Sequence, residues 1–116
     1  MTDSESVDAG WARLKDVVLG RHADTAPGKM MTADALTCGG KVFVFRSRRN
    51  GHGLGCKLGH TTPEALGARQ WTPLKPFRDK AAMRGWFVVG PGDAALWPAI
   101  AEAALAHARG EAEVSA

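Results

Sequence analysis

The chain has 116 residues, 45% of them apolar, with four tryptophans, four phenylalanines and two cysteines. That length holds one domain and one core, the apolar and aromatic content is enough to fill it, and 23% charged residues keep the surface soluble, so disorder throughout is an unsuitable description. The net charge of +3 hides an asymmetry: residues 29–84 carry eleven Lys/Arg against three acids, a net +8, while the two ends together sum to −5. A basic middle favours an anionic partner, nucleic acid or a phosphorylated ligand, over an acidic one.

The opening, Met1-Thr2-Asp3-Ser4-Glu5-Ser6, is polar and acidic, unlike a secretory leader. No apolar run reaches the ~18 residues that a membrane span needs. A cytoplasmic location with no membrane partner is the resulting expectation, and in a reducing compartment Cys38 and Cys56 are free thiols by default. The expected organisation is a single domain over 1–116, ordered over about 6–109 with flexible acidic ends.

In chain order, Val7, Trp11, Leu14, Val17 and Val18 recur at spacings of three and four and end at Gly20, which predicts an amphipathic helix over about 6–19. Arg21 and His22 suit the negative end of its dipole, and 23–28 reads as a connecting loop around Pro27-Gly28. The period then drops to two. Residues 34–38 and 41–46 flank Gly39-Gly40, a two-residue hairpin turn that pairs Cys38 with Lys41. A second hairpin turn is expected at Asn50-Gly51, returning as 52–58 and pairing Arg49 with His52, Phe45 with Cys56 and Phe43 with Leu58.

In that register Phe43, Phe45, Leu54, Cys56 and Leu58 share a core face. Arg46 and Arg48 share the other face with Val42, Val44 and Lys57, opposite glycines that leave the arginines uncovered and open to a ligand or another backbone. Downstream, Thr62-Pro63-Glu64 starts a short helix to about Ala68, 70–72 forms a brief strand, 75–82 is loop, and 84–89 is a strong strand. Asp93 caps a last helix to about Arg109, with Trp97, Ile100, Ala104, Leu105 and Ala108 inward, and Pro98 is accommodated if the regular helix begins there. The fold class is therefore α+β, a two-layer domain with an antiparallel sheet of about four to five strands and helices at both ends of the chain.

The chemistry-bearing residues form no catalytic set. Cys38, Cys56, His52 and His60 lack metal-ligand spacing, and the derived registers put the two thiols about 16 Å apart, at ~4.8 Å between strands and ~3.4 Å per residue. Gly51-His52-Gly53-Leu54-Gly55 feeds a strand, not the helix that a dinucleotide fingerprint requires. No metal, no cofactor and no enzymatic activity are expected. The candidate ligand or nucleic-acid residues are Arg46, Arg48, Arg49 and Lys57.

Residues Gly28-Lys29-Met30-Met31, 36–45, Lys57-Leu58-Gly59, 82–89 and 97–105 together resemble the N-terminal domain of the TfoX/Sxy competence-regulator family, and more distantly the MmcQ/YjbR family. The family's usual Met-Phe-Gly reads Met30-Met31-Thr32 here. The resemblance implies a two-layer α+β domain with an antiparallel sheet and a regulatory rather than catalytic role, and the expectation is a non-enzymatic regulatory or interaction module, a monomer or homodimer, with an unknown protein partner or nucleic acid. Nucleic-acid binding through the basic hairpin is one alternative, and a small anionic ligand binder or enzyme is another.

Overall fold

The computed structural model describes residues 3–30, 33–47, 53–74 and 84–115. Helix α1 (Asp3–Arg21) is followed by strands β1 (Thr25–Met30), β2 (Ala33–Cys38), β3 (Lys41–Ser47) and β4 (Gly53–Lys57). A 3-10 turn (Pro63–Leu66), β5 (Trp71–Pro73), β6 (Trp86–Val89), a second 3-10 segment (Pro91–Leu96) and helix α2 (Trp97–Ser115) complete the chain. All six strands form one antiparallel sheet in the order β1-β2-β3-β4-β6-β5, two layers with both helices on one face. The sheet has more strands than the four to five expected. The additional strand is β1, read from sequence as a loop because of Pro27-Gly28. It is an edge strand, where a residue without an N–H leaves no ladder bond unmade on its open side.

The Gly39-Gly40 turn is as expected: both glycines have positive φ, 59° and 83°, and Cys38 pairs with Lys41. Two residues further on, β3 carries a bulge. Leu36 pairs with Val44 and Thr37 with Val42, so Phe43 is the extra residue, and Phe43 and Val44 both enter the helix-side core.

The second hairpin departs from expectation by one residue. Val44 pairs with Cys56, Phe45 with Gly55, Arg46 with Leu54 and Ser47 with Gly53. A slip of one flips β4 relative to β3. The residues of the expected Asn50-Gly51 turn, with Arg48, Arg49 and His52, lie outside the described residues.

The helix-side core combines Trp11, Leu14 and Val18 of α1 with Leu36, Phe43, Val44, Leu54, Cys56 and Val89 of the sheet and Trp97, Ile100, Ala104 and Leu105 of α2. Helix α1 approaches α2 closely because Gly10 has no side chain: a Cβ there would lie 2.8 Å from the Trp97 ring. Asp93 does not cap the last helix as expected: it lies in the second 3-10 segment, and its carboxylate accepts from the Arg69 and Gln70 N–H groups at 2.9 and 2.6 Å. Helix α2 begins at Trp97 with Pro98 in its first turn, where its missing N–H costs no helical bond. On the opposite sheet face Ala35, Phe45, Leu74, Trp86 and Val88 form a smaller cluster, with the Phe45 and Trp86 rings 5.7 Å apart and inclined at 56°. Phe45 thus leaves the core that Phe43 joins. Among the described residues no helix is long and apolar enough to cross a membrane.

Candidate functional site

The expected basic surface does not assemble as the sequence reading placed it. Because of the slipped register, Arg46 points to the helix side of β3, 5% exposed, and its guanidinium makes an ion pair from Nη2 to Asp8 of α1. Its Nε is buried without a partner. Lys57 neighbours Cys56 in β4, so its side chain takes the other sheet face, half-buried, at the register position of Trp86. Arg46 and Lys57 therefore lie on opposite faces.

The glycines expected to uncover Arg46 are also occupied. The Phe45 ring fills the space a side chain at Gly55 would take, and the backbone of β6 at Val89 and Gly90 closes over Gly53. These glycines admit an aromatic ring and a neighbouring strand. Among the described residues no three His, Cys, Asp or Glu side chains group as a metal would require.

A polar cluster that sequence reading did not single out joins the end of α1, the start of β1 and α2. The turn after α1 is closed by Thr25, whose N–H and hydroxyl both donate to the His22 carbonyl, at 3.1 and 2.6 Å. It brings His22 and Asp24 against Glu102 and Arg109, two turns apart on one face of α2. His22 Nε2 lies 2.9 Å from both Glu102 carboxylate oxygens, and Arg109 Nη2 is 3.1 Å from His22 Nδ1. A neutral imidazole that donates from Nε2 and accepts at Nδ1 satisfies both neighbours.

Arg109 also binds Asp24 through two parallel bonds, Nε to Oδ2 at 2.9 Å and Nη2 to Oδ1 at 2.8 Å, a geometry that suits the planar guanidinium. The guanidinium holds the Asp24 carboxyl well below the usual carboxylate range. Cys38 at the end of β2 donates its thiol to Asp24 Oδ2 at 3.5 Å, and burial together with the carboxylate pushes that thiol up from its ordinary value. A reactive cysteine needs the reverse environment. The cluster is a polar clasp between chain segments far apart in sequence. Its one-dimensional trace was the seven-residue spacing of Glu102 and Arg109 beside His22-x-Asp24.

The third place is the outer side of α1. Val17, counted from its spacing among the inward residues, is 40% exposed, and among the described residues it is the large apolar side chain left open to water. Trp11, Leu14 and Val18 set the buried direction, and Val17 stands one residue round the helix from Val18, about 100° away. Beside it runs a groove of about 470 Å³ between α1 and residues 94–98, floored by Gly10, Leu14, Ala94, Ala95 and Pro98, with Arg13 and Asp16 at its rim. Both charged residues are exposed.

This architecture defines the chain as a two-layer α+β domain. Compared with known proteins, it matches no family model, no curated protein and no solved structure.

Proposed function

We propose that the chain is a non-enzymatic interaction module, of the regulatory kind that its resemblance to the TfoX N-terminal domain implies, and that it engages a protein partner on the outer side of α1. The observation that carries this reading is Val17, an aliphatic side chain held 40% exposed beside an apolar groove and flanked by the exposed Arg13 and Asp16. An apolar centre with a charged rim is the composition of a protein-binding patch. Nucleic-acid binding, the alternative reading, has to run through Arg48, Arg49 and Lys57, because Arg46 is engaged by Asp8.

Placing a photo-crosslinking amino acid at position 17 tests the proposal in cells that contain the protein. A discrete protein adduct is expected from position 17 and not from the exposed position 41 on the Gly39-Gly40 hairpin. No adduct at 17, or the same adducts from both positions, would overturn it.

A further inference from the structure

We infer that the partner at α1 is a second copy of this chain, held by an antiparallel α1–α1 contact in which Arg13 of each copy meets Asp16 of the other. This deepens the interaction-module reading and rests on it.

Residues 9, 13, 16 and 20 follow one another at spacings of four, three and four, which aligns them along one line of the helix. All four, Ala9, Arg13, Asp16 and Gly20, are exposed, as is Ala12 beside them. Among the described residues neither Arg13 nor Asp16 has an ion-pair partner within the chain. The line thus carries one cation and one anion, each unmatched, near its centre.

A face of that pattern is complementary to itself when reversed. A two-fold axis between residues 14 and 15 sets position 13 against 16 of the second helix and 9 against 20, each relation occurring twice. Each arginine then meets an aspartate of the other copy, and Val17 of the two copies lie on one flank of the seam with the two Ala12 on the other. At the ends Ala9 faces Gly20, so no bulky side chain holds the helices apart. A parallel arrangement sets Arg13 against Arg13 and Asp16 against Asp16, which like-charge repulsion disfavours.

The contact runs from residue 9 to 20, roughly 16 Å at ~1.5 Å per residue, which places it among small, transient interfaces. Association in the micromolar to millimolar range is therefore expected, with the ion pairs weakened by salt.

Sedimentation equilibrium of the purified chain over a concentration series tests the assignment. The wild type is expected to pass from one to two chains as concentration rises. R13D and D16R should each weaken the dimer by about tenfold or more, because each places like charges opposite one another twice. The double variant R13D/D16R should restore it. The substitutions are exposed, and unchanged circular dichroism establishes folding in each case. A wild type that stays monomeric at every concentration, single variants that dimerise as well as the wild type, or a double variant that fails to recover would overturn the inference. If position 17 crosslinks in cells to a different protein while the purified chain stays monomeric, the dimer is wrong and the interaction reading stands.

Discussion

Phe45 and Gly55 face each other across β3 and β4, and the phenylalanine ring occupies the room that a side chain at position 55 would need. The ring also packs against Trp86, so it cannot withdraw without disturbing that contact. Gly55→Ala should therefore destabilise the domain by about 1–3 kcal/mol, the usual range for overpacking. Urea unfolding followed by tryptophan fluorescence measures it, and an unchanged midpoint would show that the ring moves freely.

The Arg46–Asp8 pair is asymmetric: the guanidinium is 5% exposed, and the carboxylate is 58% exposed. Removing Asp8 leaves a buried cation with its Nε already unpartnered, whereas removing Arg46 leaves a carboxylate that water can solvate. Asp8→Ala is expected to cost about 1–3 kcal/mol, and Arg46→Met, which keeps the apolar stem, less than that. Any loss of nucleic-acid affinity in Arg46→Ala should track the loss of folded protein in the same sample.

Acid should loosen the clasp between α1 and α2. Arg109 depresses the Asp24 carboxyl in the folded chain, and Lys29 does the same for Asp34. Both interactions are fully present above the unfolded carboxylate value of about 3.9 and are lost as pH falls through the lower folded values. Urea midpoints from pH 7 to pH 2 should show the gap between wild type and Asp24→Asn widest at neutral pH and closing below about pH 4. High salt should narrow the gap throughout, because both carboxylates are exposed.

The thiols should be silent in the native state. Burial pushes Cys56 up to about 12, and Cys38 is raised by burial and by Asp24. Labelling with a thiol-specific disulfide reagent at about pH 8 should be slow, since the thiolate is the attacking species. In urea two thiols should react at once. Rapid native labelling of Cys56 would mean that β4 opens on its own.

Much of the fold was legible because periodicity reports burial directly. The Gly39-Gly40 turn fixed its own register and β6 announced itself through Trp86-Phe-Val-Val89, whereas the helix expected to start under an Asp93 cap begins at Trp97, because the Asp93 carboxylate is taken by the backbone of Arg69 and Gln70. The second hairpin misled because Asn50-Gly51 carries a strong turn preference, whereas the partners of β4 are set by tertiary packing of Gly53 and Gly55 against β6 and Phe45. One residue of slip carried Arg46 from an open face to a buried one. Neither the bulge at Phe43 nor the exposure of Val17 has a local signature, since both depend on which direction the other layer occupies. The His22–Asp24–Glu102–Arg109 cluster spans more than eighty residues of sequence, a separation at which pattern reading has no reach.

The helix that opens the chain completes its packing on the helix that closes it: Gly10 of α1 makes room for Trp97, the first residue of α2. During synthesis Trp11, Leu14 and Val18 therefore have no α2 to cover them until residues 97–115 have left the ribosome. The meander from β1 to β4, built from neighbouring contacts, can form long before that. A chain interrupted just before Trp97 would hold all six strand sequences and still present an uncovered apolar face, the kind of half-finished product that chaperones bind and proteases remove.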